Sequence, residues 1–143
     1  VDYTTYVPGL LDSSKETAAA LEGGYSNSQF PPNEDGGAAT QQIAADLKAI
    51  GATEFVTQGA SIGYWSADVM IQMLEDIDGE ITPDNFRTLA ESGWEYEPLD
   101  GGIGPISYPE GHTNPAPCAG MVKVEGGKYV SAVKFQCYDL IEP

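Results

Sequence analysis

Gly59-Ala60-Ser61-Ile62-Gly63 matches G-x-S-x-G, the elbow that presents a serine nucleophile between a strand and a helix. Chain order completes a triad, because Ser61 is followed by Asp100 and then by His112, the single histidine. In such a triad the imidazole takes the serine proton and the carboxylate orients the imidazole. Three features count against hydrolysis. Few strands precede the elbow, whereas a hydrolase sheet needs several. No HGGG-like loop supplies a second oxyanion donor. His112 sits in Gly111-His112-Thr113-Asn114-Pro115, the composition of a surface loop. The plainer reading is that Gly59 and Ser61 open a helix, whose free amide groups suit a ligand carboxylate.

Other chemistries fail on spacing. Asp76-Ile77-Asp78-Gly79-Glu80 resembles the middle of a calcium loop. With Gly79 at the loop's sixth position, however, Leu74 falls on the first and Asn85 on the last, and neither supplies the required carboxylate. One histidine and two distant cysteines build no zinc site. Gly101-Gly102-Ile103-Gly104 is followed by Pro105 and a short strand rather than by a helix, so it is no dinucleotide fingerprint. No cofactor is implied. Twenty-two acids against six bases give the 143-residue chain a formal charge of −16, which repels nucleic acid and anionic lipid. No apolar run approaches the roughly 20 residues of a membrane helix. The chain opens on Val1 rather than Met, which reads as a processed or cut start.

The elements that would position these residues are mixed. Val1 to Tyr6 reads as a strand, Ser14 to Leu21 as a short helix capped by Ser14, and Gly24 to Phe30 as a second strand. Pro31 to Gly37 is a loop of breakers. Glu54 to Gln58 reads as a strand. Three main helices are expected. The first spans Ala38 to Ile50. The second, from Ser61 to Asp76, is apolar enough to be buried on most sides. The third is started by Thr82-Pro83-Asp84 and ended by Gly93. Tyr64, Trp65, Trp94 and Tyr96 read as core. The chain is α/β or α+β.

The end of the chain, from Ala119 to Gln136, reads as a hairpin turning at Glu125-Gly126-Gly127-Lys128. A turn centred on Gly126-Gly127 would pair residues whose numbers sum to 253, whereas one centred on Gly127-Lys128, with glycine first as a type II′ turn prefers, pairs residues summing to 255 and sets Cys118 directly opposite Cys137. That register predicts a disulfide between them, and with it an oxidising, extracytoplasmic compartment.

A family resemblance follows from the ordered set of motifs. Gly101-Gly102-Ile103-Gly104-Pro105-Ile106-Ser107-Tyr108, then Asn114-Pro115-Ala116-Pro117-Cys118, Gly127-Lys128-Tyr129 and Cys137, resemble the C-terminal region of ABC-transporter substrate-binding proteins of the branched-chain amino acid type, in their actinobacterial variety. Ala20-Leu21-Glu22-Gly23-Gly24-Tyr25 resembles that family's crossover strand, and Gly63-Tyr64-Trp65-Ser66-Ala67-Asp68 the start of its buried helix.

The resemblance implies part of a two-lobed, α/β type I periplasmic-binding fold with a disulfide-stapled C-terminal hairpin. Residues 1–22 would belong to the second lobe, 30–105 to the first, and 106–143 would return to the second. It implies no enzymatic activity. The protein would capture a small polar solute, amino acid or amide-like, and present it to the membrane permease of an ABC importer. Ligand contact is carried to Tyr6, Val7, Gln58, Gly59 and Ser61. A family acid that holds an ammonium falls on Tyr6, which opens the specificity to uncharged solutes. Such a chain would require a missing N-terminal part or a second copy as a partner. A sensory or structural extracellular module of the same fold is a third function to weigh.

Overall fold

A computed structural model describes residues 5–7, 9–52, 55–99, 101–113 and 116–139. Among them the order is α1 (Lys15–Leu21), β1 (Tyr25–Ser28), a 3-10 turn (Asn33–Asp35), α2 (Ala38–Ala49), α3 (Gln58–Glu75), α4 (Pro83–Glu91), β2 (Glu95–Tyr96), β3 (Ile106–Ser107), a second 3-10 turn (Glu110–His112), β4 (Cys118–Glu125) and β5 (Lys128–Cys137). The chain is mixed α/β with two antiparallel sheets, one ordered β1-β4-β5 and the other β2-β3.

The helix starts follow their capping residues. Ser14 accepts the Thr17 N–H at 3.0 Å, Thr57 the Ala60 N–H at 3.0 Å, and Thr82 the Asn85 N–H at 3.2 Å, with Pro83 opening α4. Helix α2 ends in a Schellman motif, with Ala52 N–H on Leu47 C=O at 2.8 Å and Gly51 N–H on Lys48 C=O at 3.0 Å. The Thr57 cap starts α3 at Gln58 rather than at Ser61. Of the expected strand at 54–58, Glu54 lies outside the described residues, Phe55 to Thr57 are irregular, and Gln58 is helical. Of the expected strand from Val1 to Tyr6, residues 1–4 lie outside the described ones and Thr5 and Tyr6 are not strand.

The core joins Ala39 and Ile43 of α2, Val56, Trp65 and Met73 of α3, and Trp94 and Tyr96. Tyr64 packs beside it, edge-on to Trp65. In this acid-rich chain, carboxylates accept hydrogen bonds from aromatic donors: Trp94 Nε1 to Asp76 at 2.7 Å, Tyr64 to Asp46 at 2.9 Å, and Tyr96 to Asp68. Helix α3 is less covered than its apolarity suggests. Only Ser61, Trp65 and Met73 are buried, while Ile62, Met70 and Ile71 stay about half exposed (53 %, 46 % and 53 %). The described elements pack against one face of the helix and leave the others open.

The Gly101–Gly104 segment is a packing device. A β-carbon on Gly102 would lie 2.4 Å from Trp65 Cη2, and one on Gly104 would lie 2.2 Å from Cys118 Sγ. Only glycine lets the loop pass under the indole and against the disulfide.

The hairpin joins Cys118 to Cys137 as expected, with S–S 2.07 Å, but by a different register. The turn sits on Gly126-Gly127, not Gly127-Lys128, and pairs Glu125 with Lys128. Both glycines are left-handed (φ 60° and 72°), as a type I′ turn requires. The Glu22 carboxylate accepts both of their N–H groups, at 2.9 and 3.2 Å, and fixes the turn there. Those two backbone donors hold its carboxyl below the usual range.

Two bulges then restore the cysteine pairing. Val122 faces Ser131 but Met121 faces Val133, and Ala119 faces Gln136. Strand β5 thus carries two more residues than β4. Asp35 holds the bulged stretch, accepting from Ser131 Oγ and from the Phe135 N–H at 3.0 Å.

Candidate functional site

Tyr6 is the sequence-selected residue around which most is built. Its side chain is 3 % exposed. The ring meets Phe55 and Tyr129 edge-on, with centroids at 5.6 and 5.1 Å. Its hydroxyl donates to Glu34 Oε2 at 2.6 Å and accepts from Asn33 N–H at 2.8 Å and Asn33 Nδ2 at 3.0 Å. Burial, and then the adjoining Glu34 carboxylate, push the Tyr6 phenol well above its ordinary pKa, so it remains a donor.

Asn33 links this hydroxyl to the segment that enters α3. Its Nδ2 donates to Val56 C=O at 2.9 Å and its Oδ1 accepts the Val56 N–H at 2.9 Å. The side-chain amide therefore satisfies both backbone groups of a buried residue, as a neighbouring strand would. Two positions on, the Gln58 side chain donates to Asn27 C=O at 3.3 Å. Asn33 thus joins Tyr6 to Val56, two residues ahead of Gln58.

Beside Tyr6 opens a cleft of 430 Å³. It is lined by apolar and aromatic residues, Leu11, Phe55 and Tyr129, and by the charged residues Asp12, Glu34 and Lys128. Tyr129 is anchored by donating to the Thr5 carbonyl. The size suits a small organic molecule, and apolar walls with a few polar groups are the usual make-up of a ligand pocket.

None of the sequence-selected positions lines this cleft, and Tyr6 lies buried behind it, in contact with Glu34, Phe55 and Tyr129. Val7 is exposed and Gly59 faces solvent in the first turn of α3. Ser61 is buried at 3 % exposure in that same turn, its N–H bonded to Thr57 C=O at 2.9 Å. It has ordinary helical backbone, not the strained strand-to-helix elbow that a hydrolase needs. His112 ends an exposed 3-10 turn, and no hydrogen bond joins it to Ser61. Asp100 lies outside the described residues.

Asn33 and Glu34 escaped the sequence reading because they fall in the loop of breakers at 31–37, where local pattern carries no sign of a partner so far along the chain. In the sequence Phe55 falls in an expected strand, and Lys128 and Tyr129 in the hairpin and its family-like tail, with no sign of a cleft.

Elsewhere, two apolar clefts of 320 and 240 Å³ share Phe30, Ile103 and Ile106. Among the described residues no group of three or more His, Cys, Asp or Glu side chains is placed to hold a metal ion. No helix among them is long and apolar enough to cross a membrane. The disulfide fits an oxidising compartment. No protein-family model, no curated protein and no solved structure matches the chain.

Proposed function

We propose that the chain is part of an extracytoplasmic solute-binding protein, the C-terminal portion of an ABC-importer substrate-binding protein of the branched-chain amino acid type. On this reading it captures a small polar solute and hands it to a membrane permease, without chemistry on the ligand. The observation that carries the proposal is the cleft of about 430 Å³ beside Tyr6, lined by two aromatic and three charged residues. The site is then lined by Glu34, Phe55, Lys128 and Tyr129, with Tyr6 buried behind them, rather than by Gln58, Gly59 and Ser61.

Two further features support the reading. The Cys118–Cys137 bridge suits a protein outside the cytosol. The half-exposed Ile62, Met70 and Ile71 of α3 suit a lobe that meets further chain, either a missing N-terminal part or a second copy. The two-lobed fold, with residues 1–22 and 106–143 in one lobe and 30–105 in the other, belongs to the same proposal.

The test is to purify the protein without denaturant, unfold it, and identify the small molecules released by mass spectrometry. A stoichiometric polar solute is expected, and Ser61→Ala should retain it. Ester turnover by the native chain that disappears in Ser61→Ala would instead establish a hydrolase.

A further inference from the structure

We infer that the cleft beside Tyr6 selects an organic cation, a small molecule whose ammonium group meets Glu34 and Asp12 while its carbon skeleton lies against Phe55 and Tyr129. The inference rests on the solute-binding reading and narrows its ligand class.

Glu34 is the acidic residue of the cleft that is held most firmly. One of its carboxylate oxygens, Oε2, is fixed at 2.6 Å by the Tyr6 hydroxyl. Among the described residues the other oxygen, Oε1, takes no hydrogen bond, and Glu34 lines the cleft. Tyr6 is itself oriented by two donors from Asn33. A carboxylate braced in this way is set in place before the ligand arrives, which lowers the entropy that binding must spend. Asp12 brings a second carboxylate to the same cleft, against the single ammonium of Lys128. The acidic side chains outnumber the basic one, so the group that best completes the cleft is a positive charge.

The rings point the same way. Phe55 and Tyr129 present π-systems beside the carboxylates, and an ammonium near such a ring is attracted to its face. The field of the whole chain, at −16, concentrates cations and repels anions. A dicarboxylate or phosphate would meet two carboxylates for one lysine. A neutral amide would leave one carboxylate in excess of the Lys128 ammonium.

The experiment is calorimetric titration of the full chain with four probes: 1,4-diaminobutane, tetramethylammonium, acetamide and succinate. The two cations are expected to bind, and to bind more weakly as salt rises. Glu34→Gln, which keeps an acceptor for Tyr6, and Asp12→Asn should each weaken 1,4-diaminobutane by about tenfold or more, with the melting temperature held. Asp84→Asn, outside the cleft, should change nothing. Tyr129→Leu should weaken tetramethylammonium.

The inference is overturned if acetamide or succinate binds in preference. It is also overturned if Asp84→Asn weakens cation binding as much as Glu34→Gln does, because the cations are then diffuse counterions. In either case a solute recovered from the native protein keeps the solute-binding reading intact. If no probe binds and no solute is recovered, both fail.

Discussion

Asn33 holds Val56 by both edges of one side-chain amide, with Nδ2 on the carbonyl and Oδ1 on the N–H, each at 2.9 Å. This pair ties the loop that carries Glu34 to the segment that enters α3. Asn33→Ala leaves two buried backbone groups without partners. A loss of about 2–5 kcal/mol is expected by urea unfolding. Asn33→Asp, which keeps an acceptor for the Val56 N–H, should lose less. Equal losses in the two variants would show that the N–H half of the clamp contributes nothing.

The Tyr6 and Tyr96 phenols are both raised, by burial first and then by Glu34 and Asp68 respectively. An acid whose pKa is higher in the folded state contributes stability that is complete below its unfolded value of about 10 and is lost as pH rises through the folded value. The melting temperature should therefore fall between about pH 10 and pH 12. Tyr6→Phe should flatten that fall, at a cost of about 1 kcal/mol at neutral pH. An unchanged alkaline slope in Tyr6→Phe would contradict the assignment.

Gly104→Ala would set a methyl 2.2 Å from Cys118 Sγ, and Gly102→Ala one 2.4 Å from Trp65. Overpacking of this kind costs about 1–3 kcal/mol. Both variants should melt lower than the parent. In Gly104→Ala the loss should shrink once Cys118 and Cys137 are both replaced by serine, because the obstructing sulfur is then gone. Full additivity of the two changes would count against the contact.

The disulfide closes a loop with a sequence separation of 19. Reduction should raise the intact mass by two hydrogens and lower stability by about 3 kcal/mol. Asp35→Ala should leave the bridge in place but speed amide exchange at Phe135, whose N–H it binds. Slow exchange at Phe135 in that variant would show that the bulge holds itself.

Much of this was legible in the chain. The caps Ser14 and Thr82 and the terminator Gly51 announce their helices, because capping is decided within a few residues. The disulfide was legible too, though by a turn one residue off. Bulges are invisible to an argument that counts paired residues, and here two of them in β5 shifted the register between Val122 and Ala119. The Gly126-Gly127 turn depends on Glu22, which is 104 residues away from Gly126. Little of the candidate cleft is legible in the sequence, since none of the residues expected there to touch ligand lines it. Tyr6 was named, but Asn33 and Glu34 reach it from 27 and 28 positions away, and no local periodicity reports such a contact. The Thr57 cap begins α3 at Gln58, ahead of Ser61, so the G-x-S-x-G match lies in ordinary helix.

The central claim is that the cleft beside Tyr6 holds a solute. Backbone amide NMR of the full chain tests it most directly, by adding the solute recovered from natively purified protein in increments. Saturable shifts at Glu34, Phe55, Lys128 and Tyr129, absent at Ser61 and His112, are the predicted result. Shifts confined to Ser61 and His112, with conversion of the added molecule, would contradict it.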